Sequence, residues 1–245
     1  MKKQAADKIA FVLKDCVERT INRVAKEKTF RPFHEMLLTK ELVSASAFER
    51  SFSTSFGQGP IEEISQILAL SVGAECERQK ETRVNVNKGA MDEIVRIMAA
   101  LRAGDAKPNW KKELSKVRAF TKGDYVQERV ISDLWIKKGK EKFISIKTVK
   151  PNIDQVEKAK RDMLLLKAHD FSFETYLGLY YNPGGPKKED YNWSLPSKIF
   201  DMAHDECVLI GEEYWEMVGG KKTYQELLLI FAEVGEMTRK RLASI

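Results

Sequence analysis

The sequence predicts an α/β fold in which a central mixed β-sheet is flanked by helices, with an N-terminal half that is helical. Three observations carry this. Apolar residues recur at helical spacing through the first half of the chain. Two β-rich runs, 131–136 and 143–149, flank a turn centred on Gly139 and read as a hairpin. After the second run, Lys150-Pro151-Asn152 ends the strand and starts a helix from 153 to about 167, which supplies a crossover to a further strand at 173–181.

Taken in order, residues 5 to about 26 form an amphipathic helix through Ile9, Leu13, Val17 and Ile21. A second helix is expected over 33–48. Gly57-Gln58-Gly59-Pro60 is a turn whose proline suits a first helical position, and it opens a helix over 61–77 with Ile61, Ile64, Leu68 and Val72 at core spacing. Residues 83–88 (Arg-Val-Asn-Val-Asn-Lys) hold the donors that base contact requires, but read as a polar loop before a helix over 91–102. Residues 104–109 are the best internal break. They are short and precede another helix, so they count as a loop within one domain, helical over about 1–120, with its sheet core over about 121–215 and a helical end over about 216–245. A last strand is expected at 208–210 and a closing helix at 224–242.

The hairpin carries the chemistry. Its turn brings Asp133 opposite Ser145 and puts Lys147 one pleat further along the same face, with Ile144 and Ile146 facing away. A slip of one residue would separate Asp133 from Lys147. The second strand is apolar enough to be central, and a lysine on a central strand needs a reason. An acid followed by a strand bearing x-x-Lys suits metal-assisted phosphodiester hydrolysis. Asp133 is a hard oxygen ligand for Mg²⁺, Lys147 is a compact ammonium that orients water and offsets developing charge, and the Ile146 carbonyl is a further ligand. The bland alternative is an ordinary hairpin with a solvent-facing Asp and Lys.

Composition bounds the answer. At 245 residues, 43% hydrophobic and 32% charged, the chain can bury a full core. A net charge of +6 and a pI near 9.0 suit an anionic partner. Cys16, Cys76 and Cys207 are isolated, which fits reduced thiols in a cytosolic protein. No apolar run is long enough to span a bilayer, and His34, His169 and His204 lack the partners of a catalytic triad.

Three further segments extend the pattern: Arg31-Pro32-Phe33-His34 running to 51–57 and 61–64; Asp133 with Ile146-Lys147-Thr148, Lys150-Pro151-Asn152 and Gln155; and Trp215, Gly219-Gly220 and 223–228. On these, residues 30–229 resemble the TdeIII-like family of type II restriction endonucleases, within the PD-(D/E)xK nuclease superfamily. The resemblance implies Mg²⁺-dependent cleavage of double-stranded DNA at a short, largely palindromic site, with GGNCC-type sites among relatives. It also implies a homodimer working in a prokaryotic cytoplasm beside a cognate DNA methyltransferase. It selects Glu62 as a helix-borne metal ligand alongside Asp133 and the Ile146 carbonyl, with Glu75, later on the same helix, as a weaker alternative.

The chain departs from the family pattern at Ser145, where Glu or Asp is usual. The replacement carboxylate would come from the following helix, where Asp154, Glu157 and Asp162 are available. Strand rise against helix rise favours Asp162, whereas the commoner fate of such acids is pairing with Lys158, Lys160 and Arg161 on a solvated face. That departure supports one rival reading, a non-catalytic DNA-binding protein on the same fold; a second, a structure-specific repair nuclease, shares the chemistry but recognises structure instead of sequence. Phosphate contacts would draw on Arg31, Lys80, Arg83, Lys88, Lys150, Lys187 and Lys188. Tyr180, Tyr181, Tyr191 and Trp193 would touch bases or a partner subunit, or simply pack.

Overall fold

The computed structural model describes residues 1–26 and 30–242. Helix α1 (Lys3–Lys26) buries Ile9, Val12, Leu13, Cys16 and Ile21. The single helix expected over 33–48 is instead two, α2 (Pro32–Leu37) and α3 (Lys40–Gln58). Leu38 between them is extended, and the Thr39 side chain caps α3 by accepting from the Leu42 amide. Pro60 opens α4 (Pro60–Ser71) as its position predicts. This helix stops six residues short of the expected end, because Gly73 takes a left-handed conformation (φ 79°) and turns the chain into strand β1 (Glu75–Asn87).

That strand corrects two expectations. Glu75 lies on β1 and not on a helix, and residues 83–87 are strand and not loop. The half of the chain read as helical therefore contributes a thirteen-residue strand to the sheet. Asn87 then caps α5 (Lys88–Ala103), and Asn109 caps α6 (Trp110–Arg118). Strands β2 (Tyr125–Lys138) and β3 (Lys140–Lys147) form the expected hairpin, tightened by Gly139 at φ 82°. A reciprocal cap between Asn152 and Gln155 starts α7 (Ile153–His169). The remainder is β4 (Glu174–Leu179), β5 (Val208–Ile210), α8 (Glu212–Gly219) and α9 (Thr223–Leu242).

The sheet runs β1-β2-β3-β4-β5, antiparallel in its first two pairings and parallel in the last two, so it is mixed and β3 is central. Each face buries its own core. On one, Val84, Val86, Val130 and Phe143 meet Ile94 of α5 and Met163 and Leu164 of α7. On the other, Leu134, Ile144 and Ile146 meet Ile9 of α1, Ile61 and Ile64 of α4, and Tyr214 of α8. Lys160, expected on a solvated face, is fully buried in the first core. Its Nζ lies 2.6 Å from the Glu113 carboxylate of α6 and donates to the Ile199 carbonyl at 2.5 Å.

Candidate active site

The β2–β3 ladder runs from the Gly139 turn to the Leu134–Ile144 pair and stops there. At the next position the Asp133 side chain replaces the strand bond: its Oδ2 accepts from the Ile146 amide at 2.7 Å, from Lys147 Nζ at 2.8 Å and from Ser145 Oγ at 3.4 Å. Lys147 Nζ also donates to the Ile146 carbonyl at 3.0 Å. The register inferred from the turn thus brings Asp133, Ser145, Ile146 and Lys147 into one cluster. The Lys147 and Asp133 side chains are only 19% and 21% exposed, open to solvent yet partly desolvated, which strengthens their interaction with an anion. All three bonds fall on Oδ2, and Oδ1 takes none of them.

Glu62 stands in the first turn of α4, and Gln79 of β1 donates to both its carboxylate oxygens at 3.0 Å. Burial raises the Glu62 carboxyl above its ordinary value; the Gln79 bond opposes this, the Asp133 charge adds to it, and Arg78 and Lys147 pull it back. Glu62 therefore sits within the electrostatic reach of both hairpin residues.

Gln79 was not legible in the sequence. It occupies the β1 position across from Asp133, between the paired Arg78–Leu134 and Lys80–Ser132, and takes φ 52°, a left-handed conformation that L side chains seldom adopt. The alternation of the strand slips there by one residue. Glu77 and Lys80 form a 2.5 Å ion pair, although a regular strand would put positions three apart on opposite faces. No Gly or Asn marks the irregularity, since the run is Glu77-Arg78-Gln79-Lys80-Glu81. Gln79→Gly is expected to leave the thermal midpoint near wild type, because relieved backbone strain of about 1–2 kcal/mol offsets the entropy of glycine. Cleavage should nonetheless fall about tenfold as Glu62 loses its holder, as comparison of single-turnover rates with a melting curve would establish.

The helix acids proposed to replace Ser145 are engaged elsewhere. Asp154 and Glu157 both pair with Arg102 of α5, and Asp162 lies 2.5 Å from Lys158. Among the described residues no group of three or more His, Cys, Asp or Glu side chains forms a metal cage. A cation here would rely on two carboxylates, a backbone carbonyl, water and substrate phosphate, a hard-oxygen donor set that fits Mg²⁺.

Several suggested DNA contacts prove structural. Lys188 Nζ donates to the Asp205 and Val208 carbonyls at 3.2 and 2.6 Å. Tyr191 and Trp193 donate to the Val149 and Pro151 carbonyls, and Tyr180 is buried. Tyr181 remains exposed at 44%. Among the described residues no helix is long and apolar enough to cross a membrane.

A mixed five-stranded sheet flanked by helices, with an acid and a lysine where its central hairpin parts, is the frame of a restriction-endonuclease-like protein. The profile of the HinfI type II restriction endonuclease family matches residues 1–235, and the chain belongs to that family, whose members are site-specific deoxyribonucleases. It is similar to the type II restriction enzymes HgiCII and HgiEI of Herpetosiphon aurantiacus, each 26% identical over 240 residues, which span 92% of this chain and 87% and 86% of theirs. It is also similar to the type II restriction enzyme MjaII of Methanocaldococcus jannaschii, 27% identical over 208 residues that span 77% of this chain and 54% of that enzyme. No solved structure gives a significant match.

Proposed function

We propose that this endonuclease hydrolyses both strands of DNA at a short palindromic site in a Mg²⁺-dependent reaction, as a single catalytic domain acting in a homodimer. The observation that carries this is the 2.8 Å contact of Lys147 with Asp133 at the point where the β2–β3 ladder ends. Asp133 and Glu62 would hold the cation, with the Ile146 carbonyl as a third oxygen. The ion, when bound, offsets charge on the scissile phosphate and makes water a better nucleophile at neutral pH.

The chain's own residues do the rest. Lys147 orients the attacking water and stabilises the charge that develops on the phosphate oxygens. Gln79 fixes the direction of the Glu62 carboxylate. The Ile146 amide locks Asp133 in place, and Ser145 adds only a long hydrogen bond to the same oxygen. A two-fold dimer matches a palindromic site and delivers one centre to each strand. The free cysteines suit a reducing cytoplasm, where a cognate methyltransferase would protect the host's own sites.

The test is incubation of the purified protein with unmethylated phage DNA in Mg²⁺ and, separately, in EDTA. Discrete fragments in Mg²⁺ alone are expected. A smear would point to a nuclease without sequence preference, and fragments that persist in EDTA would refute the metal dependence.

A further inference from the structure

Because the β2–β3 ladder stops at the Leu134–Ile144 pair, residues 125–132 of β2 pair with β1 alone and form a two-stranded ribbon beyond the active site. One face of this ribbon is covered: Val84, Val86 and Val130 are buried against α5 and α7. The other face lies on the side of α4, whose first turn meets β1 at Gln79 through Glu62. Past that point Arg83, Asn85, Gln127 and Arg129 are all exposed.

Their pairing is specific. Arg83 stands directly across from Arg129, and Asn85 directly across from Gln127. Like charges placed so destabilise a strand pair, so a face serving only solubility gains nothing from two opposed guanidinium groups. Arg129 has Glu81 as a partner at 2.6 Å. Among the described residues Arg83 has no acidic partner and the side-chain amides of Asn85 and Gln127 make no hydrogen bond.

We infer that this open ribbon face enters the major groove of the DNA substrate and reads base edges beside the cut. Two strands about 4.8 Å apart fit a groove about 12 Å wide, which admits a β-ribbon. An Arg fork matches the O6 and N7 acceptors of guanine, and an Asn or Gln amide matches the N6 donor and N7 acceptor of adenine. Arg129 and Gln127 precede Asp133 on one strand by four and six residues, or about 13 and 20 Å at the strand rise. The readers therefore stand about one to two groove widths from the residue that anchors the cutting site. This rests on DNA as the family's substrate and not on the catalytic roles assigned above.

The experiment selects bound duplexes from a randomised library with full-length Lys147→Ala protein in Mg²⁺, and repeats the selection with Arg83→Ala, Asn85→Ala, Gln127→Ala or Arg129→Ala added. The expected result is that each added change relaxes the consensus at one base pair, lowering discrimination there about tenfold to a hundredfold, while the melting temperature holds. A consensus unchanged in all four variants would overturn the inference. So would affinity falling equally for every sequence with a shallower salt dependence, the mark of phosphate contacts alone. Should the Lys147→Ala protein still cut the library, the catalytic reading fails while the ribbon comparison remains valid on the cut ends.

Discussion

Lys147→Ala is expected to lower the rate of DNA cleavage by about 10³-fold or more, while DNA binding and the thermal midpoint stay near wild type. A single preorganised donor at a developing oxyanion is worth about 10²–10³ in rate, and proton management by a positioned side chain about 10²–10⁴. The fold tolerates the loss because Asp133 Oδ2 keeps its 2.7 Å bond from the Ile146 amide. Lys147→Arg should not restore activity, since a planar guanidinium cannot take the place of a compact ammonium that touches both Asp133 and the Ile146 carbonyl. Single-turnover cleavage set beside a gel shift separates chemistry from binding. A Lys147→Ala protein that cuts within tenfold of wild type would remove Lys147 from the mechanism.

Lys160→Met should have the largest effect on stability, a loss of about 3–5 kcal/mol, because it leaves the Glu113 carboxylate buried without its counter-charge. At about 2–4 °C per kcal/mol for a chain of this size, the melting temperature should drop by about 6–20 °C. The Ile199 carbonyl would also lose its donor, loosening the loop before β5. Adding Glu113→Gln to Lys160→Met removes the stranded charge yet keeps an acceptor for the Asn109 amide at the start of α6. Calorimetry should then show at least half of the lost stability recovered. A double variant as unstable as the single one would mean that packing, and not charge, holds this junction together.

The hairpin was legible in the sequence because three local signals agree there: period-two alternation, a glycine at the turn, and a proline-asparagine stop before the next helix. Since each residue of slip flips every side chain, that agreement was enough to set Asp133 and Lys147 together. β1 stayed hidden for the opposite reason. Its exposed residues from Glu75 to Asn85 are charged or polar and its inward Val84 and Val86 come only at the end, so the run looks polar, and the long helix expected before it absorbed its beginning. Glu62 was picked out by family resemblance, as its spacing says only that it opens a helix. Nothing local could reveal Gln79, whose side chain meets Glu62 only through tertiary structure, nor the burial of Lys160, which depends on an acid contributed by α6. For the same reason Asp154, Glu157 and Asp162 look available in the sequence and are taken in the fold by Arg102 and Lys158.

The order of the sheet also has a kinetic side. Only β2 and β3 are joined by a tight turn; β1 reaches β2 across α5 and α6, and β4 reaches β3 across α7. A hairpin closes in about 1–10 μs, whereas pairings that first close a long loop form more slowly. Asp133 and Lys147 are thus expected to meet once the hairpin has closed, while Glu62 and Gln79 join them only when α4 and β1 dock. On that order the proposed cutting centre is complete only when the fold is, so recovery of cleavage after dilution from denaturant is expected to report completion of the fold and not its nucleus.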